Sequence, residues 1–103
     1  MHSKYKHLLF FIVLVMVIIA CSQVLYYPTF TDSQNTGVST DTLALGRKLY
    51  VTNCAGCHNL YQPEGFTEKQ WEKILPEMQI KAKSNDSDII IISKYLKARS
   101  KRE

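Results

Sequence analysis

Cys54-Ala55-Gly56-Cys57-His58 sets two thiols three positions apart, with an imidazole directly after the second. A C-x-x-C-H run of this kind is suited to covalent attachment of a c-type haem. Each thiol adds across one vinyl group to give a thioether. The histidine that follows is then held beneath the ring as the proximal axial ligand of the iron. A C-x-x-C pair also serves as a zinc half-site or a redox dithiol. Zinc needs further Cys or His ligands, and the remaining ones, Cys21, His2 and His7, stand far upstream. A redox dithiol belongs in a βαβ setting, and no segment here reads as one. The expectation is one haem c per chain, bound through Cys54, Cys57 and His58.

Haem is joined to such runs outside the cytoplasm, so the chain must be exported. Its beginning agrees. Lys4 and Lys6 precede an unbroken apolar run from Leu8 to Ile19, closed by the small residue Ala20. A basic start, an apolar stretch of this length and a small residue after it make a secretory signal. Ile18-Ile19-Ala20-Cys21 resembles the lipobox of bacterial lipoproteins. That resemblance implies removal of residues 1–20 and a diacylglycerol on Cys21. The other reading is an uncleaved anchor, extended through residues 21–27 to the length of about twenty residues that a span requires. Tyr26-Tyr27 would then lie at the interface. Either way the rest of the chain sits on the outer face of a bacterial membrane, periplasmic or at the cell surface. The three cysteines are all used: one for lipid, two for haem.

Residues 21–40 read as the lipidated cysteine and a flexible tether, because Ser, Thr, Asn and Gln dominate and no helical or alternating period is sustained. Val24 to Phe30 is apolar enough to pack on the domain beyond. Residues 41–103 remain as the folded unit, and a unit this small buries little apolar surface without a staple. A covalent haem is such a staple. The pattern is all-α. Thr40 or Asp41 can cap a helix through about Asn53, with Leu43, Leu45, Leu49 and Tyr50 apolar. Thr67-Glu68-Lys69-Gln70 is a capping box, with Phe66 and Trp71 as its hydrophobic staple. Pro76 is expected to break or kink that helix. Asn85 and Asp88 can start a last helix running to Arg102.

With Gly46 and Tyr50 ahead of the C-x-x-C-H and Tyr95-Leu96 near the end, residues 41–103 resemble a compact monohaem class I cytochrome c. The resemblance implies a small helical domain wrapped around one covalent haem. Its first and last helices would cross where a Gly and an aromatic meet an aromatic. The segment between His58 and the last helix is shorter than in larger members, so their ligand loop does not carry over. For the sixth ligand, the chain beyond residue 20 keeps one His, His58, and one Met, Met78. Members with a W-x-x-x-I-x-x-M segment place their distal thioether there, and this chain has Trp71, Leu75, Pro76 and Met78. Met78 as a core filler, Lys81 or Lys83 as ligand, and an open iron are the alternatives. The loop 59–66 should carry the chain around the haem edge and offer a carbonyl to the His58 imidazole. Tyr61 and Trp71 are candidates for bonding the haem propionates, or are core and rim aromatics.

These features describe an exported, membrane-anchored haem protein that carries single electrons in a respiratory or periplasmic chain rather than an enzyme. The other readings are an open-site haem protein that binds or transforms a ligand, and a haem subunit of a larger oxidoreductase. Partners would be redox proteins and, through the N-terminal lipid, a membrane. The net charge is +4, and loss of Lys4 and Lys6 with the leader takes thirteen basic residues to eleven, against nine acidic. Two propionates bring that near neutrality. The basic cluster from Lys94 to Arg102 reads as a solvated helix end, or as a docking patch for acidic partners or anionic lipid. Nucleic acid does not fit an exported chain.

Overall fold

A computed structural model of the chain describes residues 2–20, 24–54 and 60–103; Cys21, Cys57 and His58 lie outside them. Five α-helices follow in order: α1 His2–Ala20, α2 Phe30–Thr36, α3 Thr40–Cys54, α4 Glu68–Ala82 and α5 Asp86–Ala98, with a 3-10 turn at Pro63–Gly65 before α4. No strand occurs among the described residues; the one bridge pairs Thr67 with Lys101. The architecture is therefore all-helical, as the sequence pattern implied.

Local chemistry sets most helix ends. Ser39 caps α3, its Oγ accepting the Thr42 N–H at 3.2 Å, one residue earlier than the Thr40 or Asp41 cap read from the sequence. Thr67 and Gln70 form the capping box that opens α4: the Thr67 Oγ1 accepts the Gln70 N–H at 3.2 Å and the Gln70 side chain accepts the Thr67 N–H at 2.9 Å. Phe66 and Trp71 meet edge to face at 5.0 Å beneath it. Pro76 does not break α4, which continues to Ala82. Its ring lies on the exposed side, while Trp71, Leu75 and Met78 bury the opposite one. That burial, added to the capped start, outweighs the roughly 3 kcal/mol that an interior proline costs. Lys83 ends the helix in the left-handed region at φ 52°, its N–H reaching the Gln79 and Ile80 carbonyls. Asn85 caps α5 by accepting the Asp88 N–H at 2.8 Å. The last helix stops at Ala98 rather than Arg102, because Lys101 turns its N–H to the Phe66 carbonyl at 2.9 Å.

The core is the crossing of α3 and α5. A Cβ on Gly46 would stand 2.6 Å from the Ile91 carbonyl oxygen and 2.7 Å from Tyr95 Cβ, so only glycine permits the two backbones to approach this closely. Leu43, Tyr50, Ile92, Tyr95 and Leu96 close around that point without exposure, and α4 adds Trp71, Leu75 and Met78. Tyr50 and Tyr95 lie ring to ring at 6.1 Å.

The stretch read as a flexible tether departs from that expectation over residues 25–36, which dock on the crossing. Leu25 enters the core and Pro28 is buried. The Tyr26 ring stacks on Tyr95 at 4.8 Å. Each phenol donates to the other residue's carbonyl, Tyr26 to Tyr95 at 2.7 Å and Tyr95 to Tyr26 at 3.0 Å. Arg47 Nε donates to the Tyr26 carbonyl at 3.2 Å. A capping box between Thr29 and Asp32 then starts α2, and Gly37, at φ 71°, ends it. Asp32 is 5% exposed and receives Arg99 Nε at 2.7 Å, with the Arg99 guanidinium also 4.7 Å above the Tyr26 ring. α1 presents its apolar side chains, Leu8 to Ile18, to the exterior. Among the described residues no helix is long and apolar enough to cross a membrane.

Two expected outcomes follow from this packing. Gly46→Val forces a branched side chain into the backbone of α5 and should lower stability by about 1–3 kcal/mol or more, read as a fall in the thermal midpoint of the haem-loaded protein. The Arg99 hydrogen bond holds the Asp32 carboxyl below its ordinary value near 3.8. Its folded-state pKa is therefore below the unfolded one, so this stabilisation is full above pH 4 and fades as pH falls through the folded value. Asp32→Asn should lose about 1–2 kcal/mol at neutral pH, a modest figure because Arg99 is partly solvated. In urea titrations that deficit should shrink as the pH is taken toward 3; a constant deficit would show that the charge is not what matters.

Candidate haem site

Cys54 is the last residue of α3, so the helix that crosses α5 also delivers the first thiol of the attachment run. It is 4% exposed and belongs to the same apolar cluster as Trp71, Leu75, Met78 and Leu96. The end of α3 is tied to the turn between α4 and α5 by Asn53, whose Nδ2 donates to Ser84 Oγ at 3.2 Å and Asp88 Oδ2 at 3.4 Å. Nothing in the sequence singled out Asn53, because its partners lie thirty or more positions away. Cys57 and His58 fall outside the described residues.

Met78 stands on the buried stripe of α4 with Trp71 and Leu75, a spacing of four and then three that faces one side of a helix. Its thioether is 9% exposed within the Cys54 cluster. The alternative ligands are placed differently. Lys81 is exposed and paired with Glu77 at 2.7 Å, and Lys83 is an exposed residue at the helix end. An apolar groove of about 450 Å³ between α4 and α5, walled by Leu75, Pro76, Ile89 and Ile90, borders the same cluster. The Cys54 thiol and the Met78 thioether share this apolar cluster, and with the thiol and imidazole that follow in the sequence at Cys57 and His58 the donor types fit a c-type haem.

The loop that returns from the run is pinned by two buried donors. Tyr50 donates its phenol to the Tyr61 carbonyl at 2.8 Å, and Trp71 donates Nε1–H to the Pro63 carbonyl at 2.9 Å. Trp71, fully buried, thus serves the loop and is no rim donor to a propionate. Tyr61 is about half exposed and sets its ring edge to face on Phe66 at 5.3 Å. Burial raises the Tyr50 phenol well above its ordinary pKa and pushes Tyr95 up to about 12. Both therefore remain protonated donors across the working pH range. The signal for these clamps was present, since an aromatic four residues before the run and the staple Trp71 were both noted, but their acceptors are backbone atoms that carry no sequence mark.

The family model described as dihaem cytochrome c matches residues 50–103. The chain belongs to the dihaem cytochrome c family. No curated protein and no solved structure matches the chain. The dihaem family makes it a haem-based electron-transfer protein, and it corrects two expectations. The resemblance to a monohaem class I cytochrome c does not hold, and the count of one haem per chain gives way to the two haems of the family. The features shared with a monohaem domain do not depend on how many haems are bound. The helix crossing at Gly46 reports backbone packing, whatever the haem number. The single C-x-x-C-H run marks one attachment point and does not set how many haems a family member holds.

Trp71→Phe keeps the ring in the core but leaves the buried Pro63 carbonyl without its donor. The expected cost is about 1–3 kcal/mol, with faster amide exchange in residues 60–66 than in α5. Exchange that rises equally in both would mean that Trp71 contributes only bulk.

Proposed function

We propose that this dihaem cytochrome c family member carries single electrons on the outer face of a bacterial membrane, between redox partners of a respiratory or periplasmic chain. The observation that carries the reading is the burial of the Met78 thioether in the same cluster as Cys54, at the end of the helix that leads into the attachment run. In this reading Cys54 and Cys57 would hold one haem through thioethers, and His58 and Met78 would ligate its iron. A c-type haem supplies one-electron chemistry, its iron alternating between the ferrous and ferric states. The protein residues do the rest. A neutral, soft thioether favours the ferrous state and raises the potential relative to a second histidine. Leu75, Trp71 and Leu96 exclude water around the cluster, and the tyrosine and tryptophan clamps hold the loop that follows His58.

With Met78 as a ligand, the iron of that haem would offer no vacant site for a substrate, which favours carriage over catalysis. The basic leader, apolar run and small residue before Cys21 support export and lipid attachment at Cys21. The brevity of the apolar part of α1 favours a lipid anchor over an uncleaved span.

The test is spectroscopic. Oxidised protein should show the weak far-red charge-transfer band of ferric iron bound to a thioether. Met78→Leu keeps the apolar bulk at a cost below about 1.5 kcal/mol. It should abolish that band, lower the potential of that haem and open its iron to carbon monoxide. Wild-type protein that lacks the band, or binds carbon monoxide at every haem, would make Met78 a packing residue and transfer the proposal to ligand binding or catalysis.

A further inference from the structure

The docked segment at residues 25–36 changes where the haem domain stands relative to its anchor. A tether through residue 40 would let the domain range about 70 Å from Cys21 at full extension, whereas the four residues from Cys21 to Leu25 span at most about 14 Å. Leu25 is fixed in the core, and the reciprocal Tyr26–Tyr95 bonds and Arg47 hold the chain immediately after it. The domain is thus held close to whatever holds Cys21.

The surface that adjoins this fixed point has the chemistry of a membrane contact. Tyr27 is two-thirds exposed beside the outward face of α3, where Leu45 and Val51 are exposed apolar side chains and Lys48 is exposed. Arg47 lies over the Tyr27 ring at 4.9 Å. These residues border one shallow depression, and no carboxylate lines it. An amphipathic aromatic with aliphatic and basic neighbours suits the headgroup layer of an anionic bilayer. Among the other exposed apolar residues, Val24 and Phe30 stand within three positions of Tyr27 in the chain, and Ile80 and Ile90 belong to the α4–α5 region. In that region Glu72 lines the groove together with Lys94 and Lys97, and Asp86 accepts from Gln79 at its edge, so carboxylates are mixed with the cations there, whereas none lines the depression at Tyr27.

We propose that Tyr27, Leu45, Arg47, Lys48 and Val51 form a membrane-contact face that seats the domain against the bilayer of its own anchor. The proposal rests on the anchored reading above. It places the attachment run near the lipid surface, since Cys54 follows Val51 on α3 by three residues, about 4.5 Å along the axis. The haem site would then face membrane-embedded redox partners at short range.

Site-specific photo-crosslinking in the haem-loaded protein tests it, in vesicles of phosphatidylethanolamine and phosphatidylglycerol. A benzophenone side chain replaces Tyr27, Val51, Ile80 or Ile90 in turn, all exposed positions, with the haem spectrum as the check on folding. Lipid adducts at 27 and 51 should exceed those at 80 and 90 several-fold, and Lys48→Glu should reduce the adduct at 51. Equal yields at all four positions, or a reversed order, in vesicle-bound protein would overturn the face while leaving the anchor intact. Adducts at 27 and 51 that are protein instead of lipid would assign the face to a protein partner and overturn the lipid proposal. Protein recovered free of the vesicles, with no lipid mass on Cys21, would overturn the anchor and the face together.

Discussion

The approach of α3 to α5 at Gly46 is the constraint on which the rest of the molecule depends. The described residues bury few large side chains, and nearly all of them converge on that crossing. With the backbones this close, Tyr50 and Tyr95 interlock instead of facing each other across a gap, and Ile92 and Leu96 seal the seam. Close packing of this kind maximises dispersion contacts per side chain, which matters most in a domain with little interior to spare. The same approach fixes the direction of α3, and so the position at which its last residue, Cys54, enters the core.

From the crossing, order is passed to the site through buried donors on rigid helices. Tyr50 belongs to the crossing and also bonds the loop carbonyl at residue 61; Trp71 belongs to the α4 stripe and bonds that at residue 63. A loop that follows a haem ligand without such clamps would carry buried carbonyls lacking partners, each costing a few kcal/mol. Asn53 completes the arrangement by tying α3 to the α4–α5 turn. The residues that shape the site are therefore mostly those that hold its edges.

Much of this was legible because it is written locally. The Thr67–Gln70 capping box, the Phe66–Trp71 staple, the Asn85 cap and the attachment run are all patterns a few residues long, and each acts through neighbouring atoms. Gly46 was legible through its place ahead of the run. What escaped is non-local. The Asp32–Arg99 pair joins residues 67 positions apart, and although the apolar character of Val24 to Phe30 suggested packing, nothing local marked Tyr95 as the partner of Tyr26 or Arg99 as that of Asp32. Pro76 misled because a proline rule weighs one lost hydrogen bond and ignores the buried face that keeps α4 continuous. The haem number escaped because the one attachment run marks a place for a haem and does not count the haems of the family.

The extent of the family match has a structural consequence. It begins at Tyr50 and so takes in Cys54, the clamped loop, α4 with Met78, and α5. It leaves out Gly46, Leu43 and the docked segment that carries Leu25, Tyr26 and Asp32. The chemistry shared with the family thus lies in the matched half, while one side of the packing that fixes α5 lies before it. α5 cannot be held by the matched half alone in this arrangement, since Tyr95 stacks on Tyr26 and its backbone rests on Gly46. The residues before Tyr50 are for that reason part of the haem domain in the physical sense. Whatever holds Cys21 also holds, through four residues of chain, the scaffold on which the first haem thiol is mounted.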